Sequence, residues 1–268
     1  MPLKIDNILQ RFGLRSDKTI GLALSGGGAK GFSHIGVLMA FDRCGIKPQI
    51  LSGVSAGSIA SVLYAAGLTP SDMIKCFSDA SRLNDFTEWA IPKEGLMKLD
   101  RFGKLLADWL PVSYLEDLNI PTVICATDLD HGKSVGWSKG EIVPRVLASC
   151  SIPIVFNPRK INGVNYVDGG VLRNLPAWAI RGYCKTLYGC NCSPMRHTFK
   201  GKTLPEIAFR SYHLMLKANI PQDIRLCDKV IQVNDLSQVS TFDLSSLRRG
   251  VMAGYDAAMR VLENDLNK

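Results

Sequence analysis

The segment LSGGGAKGFSHIG (residues 24–36) places four glycines in six positions, Gly26 to Gly31. Glycine loses more conformational freedom on folding than any other residue, so such a run marks backbone that must approach something closely. The flanks turn this local constraint into a global one. TIGLALSG (19–26) reads as a short buried strand, with Leu22 and Leu24 alternating with Gly21 and Ala23. GFSHIGVLMAFDRCG (31–45) has apolar residues at helical spacing and stops at a glycine. KPQILSG (47–53) predicts a second strand, and SIASVLYAAGL (58–68) a second helix, stopped near Gly67. This β-α-β-α order predicts an α/β fold with a mainly parallel central sheet and helices on its faces.

Gly26 to Gly31 also fits G-x-G-x-x-G after a strand and before a helix, the pattern of a dinucleotide site. Such a site needs a carboxylate near the end of the second strand. LSGVSAG offers none there. A phosphate loop needs a lysine after its last glycine, and Phe32 follows Gly31 instead. Taken alone, the glycine loop leaves its ligand open.

Gly53-Val54-Ser55-Ala56-Gly57 narrows the choice. A G-x-S-x-G between strand and helix holds its serine on a sharp turn with Oγ exposed at the end of the sheet. The following helix points its positive end at that oxygen. If Ser55 attacks a carbonyl, the resulting oxyanion needs N–H donors. The amides of Gly27 and Gly28, at the end of the neighbouring strand, are the candidates. One such donor is worth about 2.7–4 kcal/mol in the transition state. A third motif, Asp168-Gly169-Gly170, ends a predicted strand. Asp168 is either a plain turn residue or the base for Ser55. With a reference pKa of about 3.9 it is a weak base unless burial raises it.

The rest of the chain predicts loops and short helices over 79–111, a strand over 120–129 and a hairpin over 131–137. Helices are expected over 141–150, 175–183, 206–219 and 246–264, and strands over 161–170, 186–194 and 229–235. No linker or internal repeat interrupts this order, so one domain is expected over 1–268, with its motifs at roughly 19–195. Phe86, Trp89, Leu96, Met97, Phe102 and Trp109 are candidates for the lining of an apolar channel or for a lid, with ordinary core packing as the alternative.

A net charge of +8 attracts nucleic acid, anionic lipid or acidic substrates. No Lys/Arg run is interleaved with aromatics, which argues against nucleic acid. The eight cysteines are spread along apolar runs and read as reduced and buried. Cys190-x-Cys192 lacks a second ligand pair, so no metal is expected, and no cofactor. MPLKIDNILQRFG lacks the apolar core of a signal peptide, and VLASCSIPIVF (146–156) is too short to span a bilayer. The expectation is a soluble cytoplasmic protein, with peripheral contact at an anionic membrane. A Ser–acid–His triad would draw on a histidine after Asp168, and only His197 and His213 follow it. His34 reads as a support for the glycine loop, and His131 lies in the hairpin turn.

GGGAKG, GVSAG and DGG, in this order and at these spacings, resemble the patatin-like phospholipase family. The likeness continues through GFSHIGVLMAFDRCGI, SAGSIASVLYAAG, VICATDLDHG, ASCSIPIVFNP and NGVNYVDGGVLRNLP. The resemblance implies a three-layer α/β sandwich and a lipid acyl hydrolase acting on a phospholipid or lysophospholipid. It implies Ser55 as nucleophile on the Gly53–Gly57 elbow and Asp168 as base in the Gly169–Gly170 turn. It implies Gly26, Gly27, Gly28 and Gly31 as the oxyanion loop, and a reaction through an acyl-enzyme without a metal. Lys30 holds the family's basic position, where it orients the loop, meets a lipid phosphate or is simply solvated. Arg173 stands where relatives often carry asparagine (GGVxNNLP), a change that points to altered access or head-group preference. The alternative is a lipid-binding or regulatory relative that keeps the fold without turnover.

Overall fold

The computed structural model describes residues 19–79, 88–89, 97–193, 201 and 203–266. The first half runs β1 (Ile20–Leu24), α1 (Phe32–Arg43), β2 (Ile50–Val54), α2 (Ala56–Ala65), α3 (Pro70–Asp79), β3 (Glu88–Trp89), β4 (Met97–Lys98) and α4 (Asp100–Trp109). The second half runs β5 (Thr122–Asp128), β6 (Lys133–Trp137), α5 (Ile142–Ser149), β7 (Arg159–Ile161), β8 (Val164–Asp168), β9 (Thr186–Asn191), α6 (Leu204–Ile224), β10 (Lys229–Gln232) and α7 (Leu247–Leu266). The architecture is α/β, as expected. Strands β10, β9, β1, β2 and β5 pair side by side in parallel. Strands β6, β8 and β7 complete the eight-stranded sheet with antiparallel pairs.

Strand β5 has three partners, and a strand has only two edges. Thr122–Cys125 pair with β2, Ala126–Asp128 pair with β8, and Ile124–Asp128 also pair with β6. Strands β2 and β8 therefore lie end to end along one edge of β5, and β6 takes the other. Strand β2 runs parallel to β5 and β8 antiparallel to it, so their C-terminal ends meet. Val54 sits opposite Cys125, and Asp168 sits opposite the next residue, Ala126.

Alternation along the strands builds a core on each face. Leu22, Leu24, Leu51 and Ile124 join one core, where α1, α2, α5 and α7 contribute Phe41, Leu63, Val146 and Leu262. Ala23, Ile50, Val54, Val123 and Leu187 join the other. That second face is covered by Leu175, Ala177 and Ile180. Here the structure corrects the helix expected over 175–183. The segment forms two 3-10 turns, Pro176–Ala179 and Arg181–Tyr183. Its polar groups bond across the fold instead of along a helix: Trp178 N–H donates to Asp223 Oδ1 (3.2 Å) and Arg181 to Leu226 O (3.1 Å).

Three further elements depart from the expected pattern. The 161–170 strand is the second half of a hairpin, β7–β8, turned by Asn162 (φ 49°) and Gly163 (φ 86°), an Asn-Gly pair suited to such a turn. Helix α3 had a legible start, because Thr69 and Asp72 cap each other reciprocally: Thr69 N–H donates to Asp72 Oδ2, and Asp72 N–H to Thr69 Oγ1. Helix α6 opens on a second such box, Thr203 with Glu206, and runs past its expected end at 219 to Ile224.

That extension explains Arg173. Asp223, fully buried in the last turn of α6, accepts a bidentate pair of hydrogen bonds from the Arg173 guanidinium, both 2.7 Å. The planar fork of arginine suits this pairing. The charge of Arg173 is thus paired with a buried acid of the fold. Removing it strands a buried carboxylate. Arg173→Ala is expected to lose about 3–5 kcal/mol in urea unfolding. A variant of wild-type stability with a changed substrate preference would restore the surface role.

Candidate active site

Ser55 is the single residue between β2 and α2, and its backbone is forced into φ 52°, ψ −125°. A positive φ at a non-glycine residue costs of order 1–3 kcal/mol and persists only where its surroundings over-determine it. The surroundings are visible here. The Ser55 amide donates to Ser149 Oγ (2.8 Å), and that hydroxyl donates to Cys125 O (2.6 Å), tying the elbow to α5 and β5. The Ser55 carbonyl accepts from Ser58 Oγ (2.6 Å). Gly53 and Gly57 bracket the turn, and a Cβ on Gly57 would stand 2.1 Å from Leu24 O.

Asp168 enters from the opposite direction, at the end of β8. Its Oδ1 accepts the Gly170 amide (2.8 Å) within the turn Gly169–Val171. Its Oδ2 has no hydrogen-bond partner among the described residues. The carboxyl is fully buried, and this desolvation pushes its pKa up to about 6. The nearby Ser55 hydroxyl, the Gly170 amide and the Tyr212 hydroxyl pull in the opposite direction without overcoming burial. The meeting of β2 and β8 thus sets a serine beside a carboxyl whose pKa burial raises to about 6.

The glycine loop is held from below by its carbonyls. Ser25 O lies 2.8 Å from His34 Nε2, and Gly26 O accepts from Asn174 Nδ2 (3.4 Å) and from Ser193 Oγ. At either side the amides are taken: Gly26 N–H donates to Asn174 O (3.2 Å) and Ala29 N–H to Thr241 O (2.7 Å). Between them the amides of Gly27 and Gly28 have no acceptor among the described residues. Gly28, at φ 59°, starts the 3-10 turn that ends at Gly31 and leads into α1. Gly27, Gly28, Lys30 and Ser55 line one cavity. Lys30 is buried, so the solvated-lysine reading fails.

A second, apolar cavity also opens at Ser55. Phe32, Ile35, Ile59, Phe77, Phe102 and Phe156 are among its walls. Of the residues expected to line an acyl channel, Phe102 does so. Trp109 stands behind the wall, its ring 5.2 Å from that of Phe77 and 6.3 Å from that of Phe102. Met97 is not among the lining residues. It pairs with Trp89 in the β3–β4 strand pair, whereas Phe86 and Leu96 lie outside the described residues. Helices α1 and α2 share the wall with Phe77 of α3, Phe156 and Phe242, none of which was among the expected channel residues.

The histidines do not form a triad with Ser55 among the described residues. His131 pairs with Asp128 (2.9 Å), and His213 is engaged by Phe209 O (2.8 Å) and Thr241 Oγ1 (3.2 Å). His197 lies outside the described residues. His34 supports the loop as expected, with the buried, free thiol of Cys192 at 3.3 Å from Nε2. Tyr212, Ser149, Asn174 and Thr241 belong to the site and were not among the expected residues. Tyr212 sits on the inner face of α6, and a Cβ on Gly170 would lie 3.0 Å from its hydroxyl. Only the helical spacing of apolar residues over 206–219 hinted that one face would meet the rest of the protein.

Comparison with known proteins places the chain in a family. A family model described as patatin-like phospholipase matches residues 22–180. An uncharacterized NTE family protein of Mycobacterium tuberculosis is 31% identical over 182 residues, which is 62% of this chain and 47% of that protein. Lysophospholipase NTE1 of Candida glabrata is 28% identical over 195 residues, which is 68% of this chain and 11% of that protein. The chain therefore spans about half the length, or less, of the curated relatives it matches. VipD from Legionella pneumophila superposes with a TM-score of 0.53 at 17% identity, over 94% of this chain and 67% of that one, a likeness of fold.

Two predictions follow from the buried carboxyl. If Asp168 must be ionised to act, kcat/KM falls tenfold per pH unit below about 6 and is flat above. Tyr212→Phe removes one of the groups that lower this pKa, so the limb moves to higher pH. The second concerns stability. The folded pKa of about 6 lies above the unfolded value of about 3.9, so the charged form costs the fold about 3 kcal/mol above pH 6. That cost fades as pH falls from about 6 towards 4. Asp168→Asn is expected to be more stable than wild type at neutral pH, with an advantage that shrinks on acidification. A difference independent of pH would contradict the assignment.

Proposed function

Because the chain belongs to the patatin-like phospholipase family, we propose that it is a serine acyl hydrolase of lipid esters, working through a Ser55–Asp168 dyad and an acyl-enzyme. The observation that carries the reading is the end-to-end meeting of β2 and β8 on β5, which brings the strained Ser55 against a buried carboxyl with one oxygen unpartnered. The name lysophospholipase attached to one relative supports a lipid ester as substrate.

In the proposed first step Asp168 takes the Ser55 proton and Oγ attacks the ester carbonyl. The negative oxygen that forms is received by the open amides of Gly27 and Gly28. The carbonyl reforms, the alcohol leaves with the proton held by Asp168, and an acyl-Ser55 remains. Water then attacks with Asp168 again as base, which frees the acid and restores both residues. The acyl chain occupies the cavity walled by Phe32, Ile59, Phe77 and Phe102, and the alcohol side faces Lys30. A lipid binder without turnover has no use for a serine held at φ 52° beside a buried carboxyl whose Oδ2 is unpartnered, so the catalytic reading is preferred.

The test is labelling with a fluorophosphonate, read by intact mass and peptide mapping, together with hydrolysis of a soluble short-chain ester. A single adduct on Ser55 is expected in the wild type. Ser55→Ala is expected to abolish both adduct and turnover, and Asp168→Asn to abolish turnover. Near-normal rates in either variant would remove the dyad. A folded wild type that takes no label would favour the binding relative.

A further inference from the structure

Helix α6 is apolar on both sides. Its inner face sets Tyr212, Leu216 and Ile220 into the fold, each 5% exposed. Its outer face presents Leu204, Ile207, Ser211, Leu214, Ala218 and Pro221, spaced 3-4-3-4-3, so that they form one stripe along the helix. Leu204 is 79% exposed, Ile207 48% and Leu214 47%, with Met215 beside them at 43%. Of the eight exposed large hydrophobic residues among the described residues, four lie on this one helix. An apolar stripe on a surface helix normally faces the protein or a partner, and this one lies exposed among the described residues.

The stripe continues towards the catalytic turn. Met215, Ala218 and Pro221 share a groove with Val171 and Leu172, the residues that follow Gly170. The inner face of the same helix carries Tyr212 and His213 into the cavity at Ser55. Whatever covers the outer face therefore lies about one helix width, ~10 Å, from the reacting groups.

The charges select the cover. Lys217 and Arg225 are exposed on or just beyond this helix. Of its acids, Glu206 is engaged in the N-terminal cap and Asp223 is sealed against Arg173. The outer side is thus apolar with a basic rim, on a chain of net charge +8. We propose that the outer face of α6, from Leu204 to Pro221, is the surface that docks this protein on an anionic lipid bilayer, with the helix lying in the plane of the interface. The choice of a bilayer over a protein rests on the lipid hydrolase reading.

The test uses the full chain with vesicles of phosphatidylcholine plus phosphatidylserine, and with phosphatidylcholine alone. Wild type is expected to co-sediment with the anionic vesicles, and less with the neutral ones. The variant Ile207→Glu with Leu214→Glu changes only water-facing side chains, and its fold is checked by thermal melting. Its partition onto anionic vesicles is expected to fall by at least about tenfold. Its hydrolysis of vesicle phospholipid falls in step, while its rate on a soluble short-chain ester stays at the wild-type level. Equal vesicle binding by both proteins would overturn the proposal. So would a wild-type dimer in light scattering that the variant converts to monomer, which would assign the face to a second copy. A wild type inactive on the soluble ester would defeat the hydrolase reading and leave the vesicle comparison to decide the docking face by itself.

Discussion

Everything at this site depends on how one strand is shared. Strand β5 offers a single edge to two strands that run at each other head-on, β2 with its parallel register and β8 with its antiparallel one. Neither can continue past the other, so each must end at Cys125–Ala126. Strand β2 ends by turning sharply into a helix at Ser55, and β8 ends in a glycine turn at Asp168. The collision therefore produces the pair, and the ladder hydrogen bonds hold it rigidly. Because the meeting point lies inside the sheet and not at its rim, Asp168 is shut off from water, which is why its proton is held to about pH 6.

The same burial that raises the pKa of Asp168 works against the fold. A charged carboxylate with one unpartnered oxygen and a serine at positive φ are both unfavourable. The structure offsets them with a lattice of hydroxyl and amide contacts from distant elements: Ser149 on the elbow amide, Gly170 on Oδ1, and Asn174 and Ser193 on the carbonyl of Gly26. The glycine loop shows the same economy of direction. The carbonyls of Ser25 and Gly26 are bonded to His34, Asn174 and Ser193, while the Gly27 and Gly28 amides beside Ser55 have no acceptor among the described residues.

Helix α6 links these local devices to the surroundings of the molecule. Its inner face delivers Tyr212 beside Asp168, its last turn buries Asp223 for Arg173, and its outer face leaves an apolar stripe in water. No helix among the described residues is long and apolar enough to cross a membrane.

The sequence by itself determined the parts whose physics is local. Glycine patterning and strand-helix alternation placed β1, β2, α1 and α2, and the G-x-S-x-G turn and the Asp-Gly-Gly turn singled out Ser55 and Asp168. The Asn162-Gly163 turn and the Thr69–Asp72 cap were also written there, although the 161–170 run was read as one strand. What only the tertiary structure decided is whatever depends on contacts far apart in the chain. Strand-sharing on β5 joins Ser55 to Asp168, and no spacing in the chain encodes it. The partner of Arg173 was not legible because it lies in the last turn of a helix fifty residues on, held there by packing. Tyr212, Ser149 and Asn174 are ordinary residues in composition and pattern. They became part of the site through burial and direction, which a chain acquires only when its elements pack.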